Sequence, residues 1–272
     1  MDMIVNLNKE QREAVLHKDG PCLVLAGAGS GKTKVLTTRI AYLINNGVNS
    51  HNILAITFTN KAAKEMRDRV SNLVADNYAF VGTFHSFGVR VLRENYEALG
   101  LMRNFTILDG DDVLSIIKKI MKDLDLNTKE YAPSYIRNKI SFIKNEMLSE
   151  SEIEKYLATP VEKVAVKVYH EYQNVLKRNN AVDFDDLLRL PVLLFENHED
   201  ILDRYQDHYQ YILIDEYQDT NEVQYKLVKK LASKYRNLFV VGDVNQSIYG
   251  FRWSNYKNIL NFEDDYPEAK CI

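Results

Sequence analysis

The amino-acid sequence specifies an α/β protein: a parallel sheet carrying a phosphate-type loop, interrupted by an all-helical block. Three observations point there. Apolar strand-like runs alternate with helical stretches in the first third of the chain and again near its end, as in sheets whose strands are joined by helical crossovers. One such run, Leu23–Leu25, opens directly into Ala26-Gly27-Ala28-Gly29-Ser30-Gly31-Lys32-Thr33. Between about Asp109 and Asn180 the chain turns lysine- and glutamate-rich with helical periodicity and no convincing strand.

Taken in order, Cys22–Ala26, Ile53–Phe58 and Ala79–Thr83 have the apolar, β-branched character of strands buried on both faces. Helices are expected over Thr33–Asn45 and Lys61–Leu73 between them. In the block, Asp111–Leu124, Pro133–Asn145, Ser149–Leu157 and Val161–Asn179 each read as a helix. Ser149 followed by Glu150 and Glu152 is an N-cap with early acidic residues. The strand pattern returns at Tyr211–Ile214 and Leu238–Val241, around the amphipathic stretch Asn221–Ser233. The block is thus an insertion, with 109–182 as one domain and 1–108 plus 183–272 as the other.

Bulk properties narrow the class. With 272 residues, 46% hydrophobic and 27% charged, the chain can bury a sizeable core. It has no apolar run of bilayer length and no basic-then-apolar start of a secretory signal. Two cysteines, Cys22 and Cys271, do not make a disulfide scaffold, so a cytoplasmic setting without a membrane partner is expected. A net charge of −3 says little about nucleic acid, because a local basic groove suffices for phosphate contacts.

The glycine-rich turn fits a nucleoside triphosphate loop. Glycines let successive N–H groups and the positive end of the next helix face phosphate oxygens. Lys32 would reach the β- and γ-phosphates, and Thr33 would help hold Mg²⁺. Ala26 replaces the first glycine of the usual pattern; the later glycines carry the tight turn. A second signature, Ile212-Leu-Ile-Asp215-Glu216, puts two carboxylates at the end of a strand, where α/β sites form. Asp215 would hold the metal and Glu216 would polarise the attacking water. A third cluster, Val241 through Trp253, also ends a strand. Its Gln246 suits sensing of a γ-phosphate, and Arg252 can add charge to a phosphoryl-transfer transition state. Tyr249, Phe251 and Trp253, spaced by two, suit a base-stacking platform. The remaining strand ends, Thr57-Phe58-Thr59-Asn60 and Gly82-Thr83-Phe84-His85-Ser86, mix hydroxyls, aromatics and polar groups, which suit phosphate and base contacts. Taken alone, His85 reads as a structural hydrogen-bonding residue, and no Cys–His cluster has the spacing of a zinc site.

These blocks, in this order, resemble the superfamily 1 helicases, most closely the PcrA/UvrD/Rep group. The resemblance runs over Leu7-Asn-Lys-Glu-Gln11, Ala26–Thr33, Thr57–Met66, Gly82–Phe87, Val182-Asp-Phe-Asp-Asp-Leu-Leu188, Asp215–Thr220 and Gly242–Arg252, essentially the whole chain. It implies a RecA-like ATP-binding subdomain 1A with the helical block as subdomain 1B. It implies ATP and Mg²⁺ as cofactors, with Gln11 reading the adenine, Arg39 near the nucleotide, Glu216 as the catalytic acid, and Gln246 and Arg252 coupling the γ-phosphate to DNA. Phe58, Asn60, His85, Tyr249 and Phe251 correspond to single-strand contacts. Phe251 stands where close relatives have tryptophan, and Trp253 replaces a usual glycine.

The implied activity is 3′-to-5′ movement on single-stranded DNA and unwinding at junctions of single- and double-stranded DNA. In the family a second RecA-like half follows, closing the ATP cleft with further arginines. The expectation is therefore that residues 1–272 are the N-terminal portion of a helicase, binding ATP weakly and unwinding nothing alone. A non-catalytic nucleotide- and DNA-binding module acting through a partner is the alternative. A small-molecule kinase explains neither the Asp215-Glu216 pair with Gln246 nor the strand-end aromatics.

Overall fold

The computed structural model describes residues 3–243, 245, 246, 255 and 257–272. They divide into two compact units, Met1–Phe87 with Phe195–Ile272, and Gly88–Leu194. The division falls inside two helices, α4 and α9 below, rather than at residues 108/109 and 182/183.

The first unit is built on a six-stranded sheet. Its elements are α1 (Lys9–Leu16), β1 (Cys22–Leu25), α2 (Lys32–Asn45), β2 (Ile53–Thr57), α3 (Asn60–Leu73), β3 (Phe80–Thr83) and the start of α4 (Phe84–Glu94). The second unit contributes β4 (Thr106–Ile107), α5 (Gly110–Asp123), α6 (Pro133–Asn145), α7 (Glu150–Tyr156), α8 (Pro160–Arg178), β5 (Ala181–Val182) and most of α9 (Asp186–Asn197). The chain then returns to the first unit through α10 (Glu199–His208), β6 (Tyr211–Ile214), α11 (Glu222–Ala232), β7 (Asn237–Gly242), α12 (Lys257–Leu260), α13 (Phe262–Asp265) and β8 (Lys270–Cys271).

The strand order is β3-β2-β6-β7-β1-β8, and every pairing is parallel. Parallel neighbours need crossovers, so the sheet is covered by helices and its inner strands are mostly apolar and buried. Ile53, Ala55, Val24, Leu213, Phe239 and Val241 belong to one core with Leu36, Ile40, Met66 and Val70 from α2 and α3. Parallelism has a second consequence: the segments after β1, β2, β3, β6 and β7 all leave from one edge. The ladder continues into them, with Ala26 N–H donating to Gly242 O and Asp215 N–H to Ile56 O.

Three helices of the second unit, α5, α7 and α8, start at a side-chain cap. Asp109, Ser149 and Thr159 close capping boxes with Asp112, Glu152 and Glu162, and Pro133 and Pro160 occupy first-turn positions. Ile117, Ile136, Ile140, Val168, Tyr169 and Tyr172 form the core of α5, α6 and α8. The short parallel pair β4–β5 joins Thr106-Ile107 to Ala181-Val182, too brief to show a strand period in the sequence. Helices α4 and α9 meet at Gly88, where a Cβ would lie 1.9 Å from the Leu187 carbonyl oxygen, so only glycine fits. Among the described residues no helix is long and apolar enough to cross a membrane.

The second unit is pinned by a buried charge cluster. Lys144, at the end of α6, is fully enclosed and donates to Asp183 at 2.7 Å and Asp186 at 3.0 Å. Tyr172 Oη donates to Asp183 at 2.7 Å, and Asp183 and Asp186 accept from each other's backbone N–H. Burial opposes the Lys144 charge, but Asp186 and Asp183 outweigh it and hold the ammonium above its usual pKa. Burial, then Asp183, pushes Asp186 up to about 6. Removing one partner from such a cluster strands the others: Lys144→Met should cost about 3–5 kcal/mol of stability at neutral pH. Without the ammonium both carboxylates have raised folded-state pKa values, so the folded state takes up protons and the deficit shrinks as pH falls toward 5. Urea unfolding of both chains at pH 5 and 7.5 checks this, and an equal deficit at the two pH values would contradict it.

Candidate nucleotide site

Strand β1 releases the chain into an exposed loop whose glycines do conformational work. Gly29 and Gly31 have φ of 75° and 83°, the left-handed region that side chains resist. Ser30 N–H and Oγ both turn back onto Gly27 O, at 3.2 and 2.7 Å, curling the loop. Gly31 is the N-cap of α2 and no side chain caps that helix, nor does its first turn hold an acidic residue. The positive end of a 14-residue helix, with Lys32 upon it, therefore has no anionic residue of its own helix to balance it.

Part of that charge is met by Glu216. Lys32 Nζ donates to Glu216 Oε2 at 3.2 Å. The same carboxylate oxygen accepts from Gln218 Nε2 at 2.7 Å. Gln218 Oε1 in turn accepts from Asp243 N–H at 3.0 Å, so the ends of β1, β6 and β7 are linked through one glutamine. Gln218 is 1% exposed; at Gly242 a Cβ would come within 2.8 Å of its Oε1, so glycine there gives it room. Glu216 has φ 49° and ψ 45°, a left-handed conformation that costs a non-glycine residue energy and is often found at functional sites.

Asp215 lies beside this chain, buried, with Oδ1 accepting from Glu216 N–H at 2.8 Å. Burial, and then the neighbouring Glu216 charge, push its carboxyl up to about 6. Asp219 is raised as well, by burial and by Glu216. Three carboxylates and one lysine leave the pocket short of positive charge, which suits a bound cation. Thr33 stands half-buried in the first turn of α2.

Gln11 reaches the loop from α1: its Nε2 donates to Ser30 O at 2.7 Å, while Oε1 accepts from Asn8 N–H at 3.0 Å. A Cβ on Gly31 would lie 2.9 Å from Gln11 Nε2. Gln246 is exposed, its N–H donating to Asp243 O at 3.3 Å after β7. After β2, Phe58 is half-buried, edge-on to Phe84 at 5.5 Å, and Asn60 is exposed at the start of α3. His85 reaches the surface at the start of α4, and the protein packed around it holds its pKa below the usual histidine value. Tyr249, Phe251, Arg252 and Trp253 lie outside the described residues.

Arg39 is not at this edge. It is 2% exposed and its guanidinium donates to the carbonyls of Val15, His17 and Lys18 at 3.2, 2.5 and 3.2 Å. It follows Lys32 by two helical turns, which sets it ~10 Å farther along α2. The first-turn lysine Lys34 is the exposed basic residue next to the loop, donating to Asn6 O at 2.6 Å. Two residues without an assigned role in the sequence prove central, Gln218 and Asp243. Gln218 carried no local signal, because its two partners, Glu216 Oε2 and Asp243 N–H, lie at the ends of different strands.

The model of the UvrD/REP helicase N-terminal domain matches residues 7–267. The chain belongs to this family. It is 50% identical over 273 residues to the ATP-dependent DNA helicase PcrA of Staphylococcus epidermidis, covering 99% of this chain and 37% of that protein. The PcrA of Staphylococcus aureus strain Mu50 is 49% identical over 276 residues, covering 100% of this chain and 38% of the relative. The chain thus spans little more than a third of the length of the curated relatives it matches. The fold is accordingly the RecA-like phosphate-loop sheet with its helical insertion.

The raised Asp215 carboxyl gives a measurable consequence. Its folded pKa of about 6 exceeds the ordinary value of 3.8, so the ionised form is penalised above that range and the penalty fades as pH falls toward 4. Asp215→Asn keeps the acceptor for Glu216 N–H and should stabilise the ligand-free chain by about 1–3 kcal/mol at pH 8. That gain should vanish near pH 4; denaturant unfolding across this range decides it.

Proposed function

We propose that this chain is the ATP-binding portion of an ATP-dependent 3′-to-5′ DNA helicase, coupling ATP hydrolysis to movement on single-stranded DNA and to unwinding at duplex junctions. The observation that carries the reading is the Lys32–Glu216–Gln218–Asp243 chain beside an uncapped glycine loop. It is supported by the similarity to PcrA relatives that are ATP-dependent DNA helicases; the polarity rests on the family resemblance.

Bound ATP with Mg²⁺ supplies the phosphoanhydride to be broken and a metal that neutralises its oxygens. The N–H groups of Gly29–Thr33 and the end of α2 cradle the phosphates. Lys32 would exchange Glu216 for phosphate oxygens, and Thr33 with ionised Asp215 would hold the metal. Freed of Lys32 but still held by Gln218, Glu216 turns to orient the attacking water and take its proton. Gln11 reads the base edge. Gln246, connected to the same strand end as Asp243, reports the γ-phosphate to the DNA side, where Arg252 acts with it. Phe58, Asn60, His85, Tyr249 and Phe251 line the single-strand path, Phe58 with a ring braced by Phe84.

The helical insertion, read as residues 109–182, serves as subdomain 1B within subdomain 1A. A C-terminal RecA-like half is the partner that completes the ATP cleft, and the protein works in the cytoplasm. On this reading residues 1–272 bind ATP weakly, hydrolyse it poorly and unwind nothing alone.

ATP hydrolysis with and without single-stranded DNA tests this, on residues 1–272 and on the chain joined to a relative's C-terminal half. DNA-stimulated turnover is expected in the joined chain only, and Glu216→Gln should lower its kcat about 100-fold or more. Nucleotide and DNA binding without turnover in either form would favour the non-catalytic module.

A further inference from the structure

The buried Arg39 invites a question the nucleotide site does not answer: why keep a guanidinium in an apolar core. Burial pushes its pKa down to about 10 and leaves its Nε without a hydrogen-bond partner. An apolar side chain of similar volume would avoid that cost. What Arg39 gains is the end of α1. This helix has only eight residues and no basic residue in its last turn, so its C-terminal carbonyls carry an unmet negative dipole. Arg39 supplies the missing cation, donating to the Val15 carbonyl in the last turn and to the carbonyls of the C-cap His17 and of Lys18 just beyond it. The guanidinium also lies over the Phe239 ring at 4.5 Å, which fixes it against β7.

The other end of α1 carries Gln11, touching the phosphate loop at Ser30 O. A helix this short is unstable alone and takes its position from its attachments. Leu7, Ala14 and Val15 seat it sideways in the core, but apolar packing tolerates sliding along the axis; hydrogen bonds to the last carbonyls do not. We propose that Arg39 is a positioning residue for the nucleotide site: by clamping the C-terminal carbonyls of α1 to α2 and β7, it sets how Gln11 meets the loop and hence the base preference. The inference rests on the nucleotide-binding reading above.

The test is equilibrium binding of fluorescent ATP and GTP analogues to residues 1–272, for the unmutated chain, Gln11→Ala, Arg39→Met, Arg39→Lys and the double variant Gln11→Ala/Arg39→Met. Gln11→Ala should reduce the ATP-over-GTP preference about tenfold, the worth of a good hydrogen bond. Arg39→Met should lower the same ratio, and the double variant should be no worse than Gln11→Ala alone. Arg39→Lys keeps the charge but loses the fork, so it should fold and fall between the two. Losses in ratio that multiply in the double variant, or an Arg39→Met protein with an unchanged ratio, would overturn the clamp. Amide hydrogen exchange of α1 in the ligand-free chain gives a readout independent of nucleotide. Arg39→Lys should speed exchange at residues 11–16 without changing β6 or β7, and unchanged α1 protection would also overturn the clamp. A chain that binds neither analogue, yet shows faster α1 exchange in Arg39→Lys, would sink the nucleotide reading while leaving the clamp standing.

Discussion

The phosphate loop, the acidic turn and the Asp243 segment depend on one constraint, the uniform parallel pairing of β2, β6, β7 and β1. Parallel ladders cannot be joined by tight turns, so each strand must hand its chain to a crossover at the same edge. The loop after β1, the acidic turn after β6 and the Asp243 segment after β7 are neighbours for that reason. Their distance in sequence is large: Lys32 and Glu216 are separated by 184 residues yet paired at 3.2 Å. The helical insertion enters between two strands without disturbing this, because the ladder needs only strand ends in register.

The charge clusters around Lys144 and Lys32 behave in opposite ways. At Lys144 the enclosed lysine donates to two aspartates, one of which also accepts from Tyr172 Oη, and burial locks the arrangement. At Lys32 the side chain is still 11% exposed and its partner Glu216 34% exposed, beside a helix end that nothing caps. The first arrangement is closed to solvent; the second is open to it. Exposure, rather than the residue types, separates the two.

Gln218 shows how one side chain can join two strand ends. An amide has both a donor and an acceptor, so it joins a carboxylate to a backbone N–H with no net charge. Holding Glu216 by its carboxylate oxygen and Asp243 by its N–H, it ties the acidic turn after β6 to the end of β7. Gly242, whose missing Cβ leaves space for that amide, belongs to the same device.

The sequence by itself determined the phosphate loop, the acid pair, the strands at Ile53, Tyr211 and Leu238 and the helical insertion, because periodicity and turn chemistry are local properties. It also carried the family, since ordered motifs survive in the chain as text. Elements without a local signature stayed hidden: β8 is two exposed residues, β4 and β5 are two each, and α4 begins in the residue after β3 with no break. Arg39 was expected at the nucleotide and Gln218 was given no role. The tertiary structure reverses that emphasis, because what an arginine or a glutamine does depends on which carbonyls, carboxylates and N–H groups the fold brings within hydrogen-bond distance of it. Hydrogen-bond partners and burial are properties of chain segments far apart in sequence, and only their packing could assign them.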